Sequence, residues 1–413
     1  MIVFDNSILR SMKLAARSLA LCLLPVALNA QIPPAVIPEG VGVNIHFVTG
    51  HERDLDLIAQ AGFKFVRMDF SWEATERGAG VFDWSEYDTL TAHLEQRGLR
   101  AIYILDYVNG LYEPMVDAHR AVGEPEPERH LASPRHPESV AAFARWSAAA
   151  ARHFHGRHIL WEIYNEPNGG FWRPKPDAAE YTTMALATAK AIRAAEPSST
   201  IIAPAMSGFD WKYLEYFLRS GVLEFLDGVS VHPYRGPDRP PESAAADYKR
   251  LREMIDRYAP ASKRGKIPIL SGEWGYSSNT KGVSLKTQAA FAVRQQLSNL
   301  LNGIPLSIWY DWKNDGPNAD DNEENFGTVT EDLQPKPAYT ALKAMTEALN
   351  GYRLEGRMEG FAETDFVLIF VNTSGARKAA AWTLAEPHRV TLHGATSEIS
   401  VELCRLPQYV VMQ

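Results

Sequence analysis

Two glutamates stand where a pair of carboxyl groups could carry out acid–base and nucleophilic chemistry. Glu166 lies in the run Trp-Glu-Ile-Tyr-Asn-Glu-Pro-Asn of residues 161–168, and Glu273 lies in Ile-Leu-Ser-Gly-Glu-Trp-Gly-Tyr of residues 269–276. Each follows a short apolar run that is typical of a buried β-strand. One carboxylic acid can deliver a proton to a leaving oxygen while the other, ionised, attacks carbon. The pattern therefore favours a reaction in which two carboxyl groups act together.

Cleavage of a glycosidic bond is a reaction that needs such a pair. The carboxyl groups lie ~5–5.5 Å apart when the anomeric configuration is retained and ~6.5–9.5 Å apart when a water must fit between them and the configuration inverts. We expect Arg67 and Tyr234 to hydrogen-bond Glu273 and keep it ionised. Aromatic neighbours and the second carboxylate are expected to raise the pKa of Glu166, as an acid catalyst requires.

The elements that must position these residues alternate between strands and helices from residue 40 to about residue 350. Such alternation implies a parallel sheet with crossover helices, and eight units favour a closed barrel over an open sheet. No Gly-rich fingerprint follows the first strand, so a dinucleotide-binding sheet is not supported. The predicted fold class is α/β, a (β/α)8 TIM barrel, with strands at Gly42–Phe47, Phe65–Phe70, Arg100–Leu105, Ile159–Tyr164, Thr200–Pro204, Gly228–His232, Ile267–Ser271 and Pro305–Tyr310.

The two ends of the chain differ from the barrel. Residues 1–30 have the layout of a secretory signal peptide, with three basic residues before the apolar run 19–28 and a small residue at Ala30. The barrel is expected over 31–350. Residues 351–413 are predicted to form a small β-sandwich-like domain with strands at Phe366–Val371, Ala380–Leu384, Arg389–Leu392, Ile399–Leu403 and Tyr409–Met412.

Charge and cysteine content restrict the possible partners. The net charge of −8 becomes about −10 when three bases and one acid leave with residues 1–30. An acidic protein without basic clusters is not expected to bind nucleic acid or an anionic membrane surface. Cys404 is the one cysteine of the mature chain, so no intramolecular disulfide is expected. We expect a periplasmic or secreted monomer that does not insert into the membrane and takes a carbohydrate as its substrate.

In a TIM barrel the functional side chains lie at the carboxyl ends of the strands. For the residues there we expect substrate binding, although histidines and acids at strand ends also serve structural roles. Aromatic rings can stack on sugar rings, so Trp309, Trp312, Phe171 and Trp172 are candidates for a sugar platform. The acidic segment 315–324 lacks the ligand spacing of an EF-hand, so neither a metal nor another cofactor is expected. The candidate residues are His46, Arg67, Asp69, Asp106, Asn165, Glu166, His232, Tyr234, Glu273, Trp309 and Trp312.

The ordered motifs of the chain resemble clan A glycoside hydrolases. The motifs are Asn-Glu-Pro at 165–167, His-Pro-Tyr at 232–234 and Ser-Gly-Glu-Trp at 271–274, after the fourth, sixth and seventh strands. The segments Ile-Trp-Tyr-Asp-Trp-Lys-Asn-Asp-Gly at 308–316 and Gln-Pro-Lys-Pro-Ala-Tyr at 334–339 most resemble family 39. Within that family the chain looks closest to the periplasmic endoglycosidases of exopolysaccharide gene clusters (the Psl type), and family 5 is the near competitor.

This resemblance implies a role for each matching residue. Glu166 would be the acid/base, Glu273 the nucleophile, Asn165 the partner of the sugar 2-hydroxyl and Tyr234 the support of the nucleophile. Arg67 matches the strand-two arginine of the clan, and Trp309 or Trp312 would form the floor under the reacting sugar. Asp106 stands where many family 5 members carry a histidine, which weakens the family 5 reading and leaves its own role open.

Two other functions fit the same residues. A transglycosylase would use an identical site and differ only in accepting a sugar hydroxyl instead of water. A non-catalytic polysaccharide-binding protein of the cell envelope would be expected to lack one carboxylate, whereas Glu166 and Glu273 are both present.

Overall fold

The computed structural model describes residues 32–118, 128–394 and 398–412. The strands, in chain order, are β1 (Val36–Ile37), β2 (Val41–Asn44), β3 (Phe65–Ser71), β4 (Arg100–Asp106), β5 (Met115–Ala118), β6 (Glu128–Leu131), β7 (Leu160–Ile163), β8 (Thr200–Ser207), β9 (Gly228–His232), β10 (Ile269–Trp274), β11 (Ser307–Trp309), β12 (Tyr352–Arg357), β13 (Asp365–Val371), β14 (Arg377–Thr383), β15 (His388–His393), β16 (Glu398–Leu403) and β17 (Gln408–Met412). The helices are α1 (Glu52–Gln60), α2 (Trp72–Thr75), α3 (Ser85–Gln96), α4 (Pro137–His153), α5 (Ala178–Ala195), α6 (Trp211–Leu218), α7 (Ala245–Tyr258), α8 (Leu285–Leu301) and α9 (Pro337–Ala348). The predicted signal peptide lies outside the described residues.

Eight parallel strands close into a barrel, which confirms the predicted fold class. The strands follow one another around the barrel in the order β2, β3, β4, β7, β8, β9, β10 and β11, and β11 pairs with β2 to close it. Parallel barrel strands are covered on both faces, so they are continuous apolar runs in the sequence, which is why all eight could be found. The observed ends differ from the predicted ones by at most three residues.

The barrel interior contains two layers of different chemistry. Toward the amino ends of the strands, seven fully buried apolar residues form one cluster: Phe65, Ile102, Leu160, Ile202, Leu270, Leu306 and Ile308. The next inward position along a strand lies two residues later, because side chains of a strand alternate between its faces. On three of these strands that next position is Arg67, Glu162 or the small Gly272. The polar layer therefore starts directly above the apolar one.

Two helices begin at residues whose types suit a helix start. The Asp177 carboxylate accepts hydrogen bonds from the backbone N–H groups of Ala179 and Glu180, at 2.8 and 3.0 Å, and so caps α5. The Glu180 side chain does not complete a reciprocal capping box, since it accepts a hydrogen bond from Trp172 instead. Pro337 occupies the first turn of α9, where the missing N–H costs nothing.

The carboxyl-terminal region contains more strands than predicted. All five expected strands are found as β13–β17, but β12 is an additional strand, and the two-residue β1 pairs with it. The sheet β1-β12-β13-β14-β17 packs one face on the barrel and the other on the β15–β16 hairpin. Trp382 of β14 donates a hydrogen bond to Glu242 at 2.8 Å, and Glu242 pairs with the buried Arg294 of α8. These contacts join the region to the barrel.

Among the described residues, no helix is both long enough and apolar enough to cross a membrane.

Candidate active site

Arg67 connects the polar residues at the mouth of the barrel. Its side chain is 1% exposed, and its Nε donates to Glu162 at 2.6 Å. Nη1 donates to Glu273 at 2.7 Å and to Asn44 at 3.1 Å, and Nη2 donates to Asn165 at 2.7 Å. The charges of the two glutamates outweigh the effect of burial and hold the pKa of Arg67 above its ordinary value. Arg67 is therefore a fixed cation that connects its own strand, β3, to residues on or just after β2, β7 and β10.

Arg67 also sets the tautomer of His232. Its Nη2 lies 3.2 Å from His232 Nε2, and a guanidinium group can only donate. Nε2 must then be the acceptor, which places the ring proton on Nδ1. His232 Nδ1 lies 2.9 Å from a carboxylate oxygen of Glu166 and donates to it. The histidine thus links the arginine to the first glutamate of the pair.

The two carboxylates predicted from the sequence lie together across the mouth. Glu166 and Glu273 each present a carboxylate oxygen within 4.8 Å of the other. Glu273 accepts hydrogen bonds from Arg67 and from the Tyr234 hydroxyl, at 2.7 and 2.8 Å, as expected. Burial and the charge of Glu273 raise the pKa of Tyr234, so its hydroxyl stays protonated and donates.

The backbone before Glu166 is strained. Tyr164 and Glu166 have φ values of 68° and 43°, in the left-handed region that side chains other than glycine rarely adopt. Hydrogen bonds from the Glu166 N–H to the Ala205 carbonyl, at 3.0 Å, and from the Tyr164 N–H to the Leu105 carbonyl, at 3.1 Å, hold this segment. Neighbouring strands impose the conformation that turns Glu166 toward the pocket, as is common at functional sites.

The electrostatic surroundings of Glu166 differ from the expectation. Burial by itself raises the pKa of Glu166, but the hydrogen bond from His232 and its electrostatic interaction with the carboxylate, with smaller contributions from Ser207 and Arg67, outweigh it. The pKa of Glu166 therefore lies below its ordinary value, and the prediction that it is raised is wrong. The sequence could not reveal this, because His232 is 66 residues away and its ring orientation depends on Arg67.

Glu162 is a member of the site that the sequence analysis missed. It is fully buried in β7, pairs with Arg67 and accepts a hydrogen bond from the Ser230 hydroxyl. A Cβ atom at Gly272 would collide with Ser230 Oγ, so only glycine leaves room for this pair. A charged residue inside the apolar run 160–163 was the available signal, because a buried charge requires a partner.

A cavity of about 560 Å³ opens above this network. This volume is typical of pockets that bind small molecules. Phe171, a predicted platform residue, lines the cavity and stacks on Tyr107 with ring centroids 5.3 Å apart. Its wall contains five aromatic side chains and ten polar ones: Tyr107, Phe171, Tyr234, Tyr310 and Phe326, with Asn44, His46, Arg67, Asp69, Asn165, Glu166, Ser207, Glu273, Asn322 and Glu323.

The chain matches the family model described as Cellulase (glycosyl hydrolase family 5) over residues 39–316. This match covers the barrel and both glutamates of the pair. The chain belongs to this family. It is therefore a clan A glycoside hydrolase that acts on glycosidic bonds, and Asp106 in place of a histidine does not exclude family 5. A comparison with curated proteins finds no match.

Solved structures with the same fold include family 39 enzymes. A family 39 glycoside hydrolase from the gut symbiont Bacteroides cellulosilyticus has 24% identity and a TM-score of 0.75, over 93% of this chain and 82% of that one. A monomeric β-xylosidase from Caulobacter crescentus has 19% identity and a TM-score of 0.61, over 88% and 80%. An endo-β1,6-glucanase has 13% identity and a TM-score of 0.64, over 91% and 90%. The resemblance to clan A, with families 39 and 5 as its nearest members, is confirmed.

Three predicted platform residues do not line the cavity of this glycosidase. Trp309 is fully buried and donates to the Phe326 carbonyl at 3.2 Å, and Trp312 donates to Asp54 at 2.9 Å. Trp172 is likewise buried, against Glu180. The expectation of a tryptophan floor is wrong. Tyr310 lines the cavity instead, because it shares the inward direction of Leu306 and Ile308.

Asp106, expected to bind substrate, lies behind the cavity wall. It is fully buried, and no described residue donates a hydrogen bond to either of its carboxylate oxygens. Burial and then the charge of Asp69 raise the pKa of Asp106 well above its ordinary value. Asp69, whose role the sequence left open, is exposed and lines the cavity. Of these two acids, Asp69 and not Asp106 faces the cavity.

His46 lies at the rim of the cavity, with 44% of its side chain exposed. Its ring meets Tyr310 edge-on at 5.6 Å between centroids.

The group of Glu166, His232 and Glu273 has donor atoms close enough to hold a metal ion. All three side chains, however, already hydrogen-bond to one another, to Arg67 or to Tyr234. The group is therefore two carboxylates and a histidine that hydrogen bonds already hold in place.

Proposed function

We propose that the chain hydrolyses O-glycosidic bonds of an oligo- or polysaccharide with retention of the anomeric configuration. Glu273 would act as the nucleophile and Glu166 as the general acid/base. The observation that carries this assignment is the separation of the two carboxylates, which present oxygens within 4.8 Å of each other. Retaining enzymes hold their carboxyl groups at ~5–5.5 Å, whereas an inverting enzyme needs room for a water molecule between them.

The hydrogen bonds of Glu273 suit a nucleophile. Its oxygens accept from the Arg67 guanidinium and from the Tyr234 hydroxyl. Both donors favour the ionised carboxylate and fix its direction toward the cavity. In the first step a Glu273 oxygen forms a bond to the anomeric carbon while the glycosidic C–O bond breaks. The negative charge on Glu273 is consumed in the covalent intermediate.

Glu166 would move the proton in both steps. Its carboxylic acid protonates the leaving glycosidic oxygen, and the resulting carboxylate then deprotonates the water that attacks the intermediate. His232 donates to Glu166 and favours the ionised form, which serves the second step. Because the same contact lowers the pKa of Glu166 in the free enzyme, the first step requires an acidic medium or a substrate that excludes water from Glu166.

The cavity wall supports a carbohydrate substrate of several sugar units. Aromatic rings and amide or carboxylate groups both line it, as binding of a ring with apolar faces and hydroxyl edges requires. We infer that Asn165 contacts the 2-hydroxyl of the reacting sugar. Xylosidic and glucosidic polymers are candidates because related folds carry a β-xylosidase and a glucanase, and an exopolysaccharide fits the resemblance of the tail motifs.

The place of action and the assembly are part of this proposal. The layout of residues 1–30 favours export to the periplasm or beyond. The acidic net charge favours a carbohydrate over nucleic acid as the partner. We propose that the exported enzyme acts as a monomer on its substrate and remains outside the lipid bilayer.

The first test is hydrolysis of a panel of aryl β-glycosides and polysaccharides by the wild-type enzyme and by Glu273→Ala. Proton NMR of the released sugar identifies the anomer that forms first. We expect the retained anomer from the wild type and no turnover by the variant. Inverted product would remove the nucleophile role from Glu273, and full activity of Glu273→Ala would refute the mechanism.

A second variant tests the acid/base assignment. Glu166→Gln should lose ~10²–10⁴-fold in rate on natural substrates because the leaving oxygen is no longer protonated. The loss should be much smaller on aryl glycosides whose leaving group needs no proton. Added azide should restore turnover of such substrates, because it attacks the covalent intermediate without needing a base. Equal losses on both kinds of substrate would argue against this role.

A further inference from the structure

A second group of metal-ligand side chains lies beside the sugar cavity. His46 follows β2, and Asp311 and Asp315 follow β11, more than 260 residues later in the chain. One donor atom of each lies within 4.8 Å of the others, and His46 Nε2 is 3.6 Å from an Asp311 oxygen. The three residues line a cavity of about 140 Å³ that is separate from the sugar cavity. His46 lines both cavities.

The Asp311 carboxylate has no neutralising partner among the described parts of the chain. Only 2% of its side chain is exposed, and no residue in 32–118, 128–394 or 398–412 donates a hydrogen bond to it. A buried carboxylate in this state is unfavourable unless a cation or several hydrogen bonds compensate it. His46 is the nearest group that can balance its charge, at a distance beyond a normal hydrogen bond.

The neighbouring lysines are engaged elsewhere. Lys313, which also lines the small cavity, has its Nζ 3.6 Å from an Asp54 oxygen. Lys336 donates to Asn314 at 2.9 Å and to Ser278 at 3.2 Å. Neither ammonium group forms an ion pair with Asp311 or Asp315 within the described residues. The two carboxyl groups and the imidazole therefore face the same small cavity.

We propose that His46, Asp311 and Asp315 bind a divalent first-row transition metal ion, for which Zn²⁺ is the probe. Two carboxylates balance the charge of the ion, and the imidazole favours zinc or its neighbours over calcium and magnesium, which prefer oxygen ligands. Zinc–ligand bonds of about 2.0–2.2 Å place neighbouring donors some 3.3–3.6 Å apart in a tetrahedral site. The observed His46–Asp311 distance of 3.6 Å matches this separation.

Three protein ligands leave one position of a tetrahedral ion open. Because His46 also lines the sugar cavity, that position lies at its rim, where a sugar hydroxyl could replace water. The competing group of Glu166, His232 and Glu273 differs in that its side chains are already held by hydrogen bonds. A metal ion would have to displace these bonds there, whereas at the second group it would displace only the 3.4 Å contact between Asn44 Nδ2 and His46 Nε2, and Asp311 Oδ1 has no partner.

The test is titration of the full-length, chelator-treated protein with Zn²⁺ by isothermal calorimetry, with thermal unfolding as a second readout. We expect one Zn²⁺ per chain and a higher unfolding temperature, because an ion that binds only the folded state stabilises it. His46→Gln and Asp315→Asn should each weaken binding at least ~10-fold, since loss of a direct ligand costs no less than loss of its supporting residues. Visible absorption of bound Co²⁺ should report a tetrahedral site in the wild type.

Two control variants locate the ion. Asp238→Asn removes an exposed carboxylate from another loop, and Glu273→Gln removes one from the competing group. Both should bind Zn²⁺ as the wild type does. Binding that is lost in Glu273→Gln but kept in Asp315→Asn would overturn the proposal, as would no binding by the wild type at about 1 mM Zn²⁺. His46→Gln alters a half-exposed side chain, so it decides the matter if Asp315→Asn does not fold. None of these readouts depends on glycosidase activity.

Discussion

The two layers inside the barrel are built on the same strands but differ in the polarity of their side chains and in the kind of contact these side chains make. The lower layer is fully apolar, and its contacts are non-directional. The upper layer contains a buried arginine that hydrogen-bonds to two glutamates and a histidine, and the histidine hydrogen-bonds to a third glutamate. Phe65 and Arg67 are two residues apart on β3, and Leu160 and Glu162 are two apart on β7. A single step along a strand separates the layer that stabilises the barrel from the layer that holds the carboxylates.

This comparison explains how one molecule can be stable and chemically specific. Apolar side chains contribute stability in proportion to the area they bury. Buried charges contribute little net stability even when paired, but removal of one partner is costly. The two layers should therefore respond differently to substitution: changes in the lower layer should alter stability at constant rate, and changes in the upper layer should alter the rate.

The largest effect is expected for Arg67→Met. It leaves the carboxylates of Glu162 and Glu273 buried without a cation, which should cost about 3–5 kcal/mol of unfolding free energy. The rate should fall by at least ~10²–10³-fold, since Glu273 also loses a positioned hydrogen-bond donor. Denaturant unfolding and kcat/KM measure the two effects. Arg67→Lys keeps the charge but reaches fewer partners, so a variant indistinguishable from wild type would contradict the role given to the guanidinium group.

Leu160→Ala should alter stability alone. The side chain is fully buried in the lower layer, and its truncation should cost about 2–5 kcal/mol. The kcat of the protein that remains folded should change less than about threefold, because no hydrogen bond of the upper layer is altered. Leu285→Ala, where the leucine is 47% exposed, is the matched control and should cost under about 0.5 kcal/mol. A large loss of kcat in Leu160→Ala would show that the layers are coupled.

A smaller effect is expected for Tyr234→Phe. The substitution removes one of the hydrogen bonds that Glu273 accepts and leaves the ring in place. A hydrogen bond to a charged group contributes about 1.5–3 kcal/mol, so kcat/KM should fall roughly 10–150-fold. The loss should appear in formation of the glycosyl–enzyme intermediate, measured by the burst of aryl alcohol. If only the second step slowed, Tyr234 would not support the nucleophile.

The comparison of the layers also shows what the sequence could predict. The barrel strands were identifiable because both of their faces are buried, and the strand ends gave Arg67, Asn165, Glu166, Tyr234 and Glu273 as neighbours. Glu162 was missed because it lies within a strand, although its alternation with Leu160 places it inward. Applied to the last strand, the same alternation selects Tyr310 over Trp309 for the cavity.

Other features could not be predicted from local pattern. β12 alternates in burial but contains only two large apolar residues, Tyr352 and Leu354, and β1 has only two residues, so neither gives a strong strand pattern. Burial and the charge of Asp69 raise the pKa of Asp106, and only the packed barrel provides both. The environment of Glu166 depends on His232 through a hydrogen bond that spans 66 residues. The pKa values of the acids in and beside the upper layer are therefore set only when the barrel has closed.

The smallest effect concerns pH and tests this electrostatic difference directly. Glu166 must be protonated in the free enzyme for the first step, so kcat/KM falls as the pH rises through the pKa of Glu166. His232 lowers that pKa by favouring the ionised form. The fall in kcat/KM, which is the falling limb of the pH profile, therefore lies at acidic pH. His232→Ala removes this contribution and leaves burial, which raises the pKa. The limb should move to higher pH, while the exposed control His393→Ala should leave it in place. A limb that stays or moves to lower pH in His232→Ala would mean that another group is the acid.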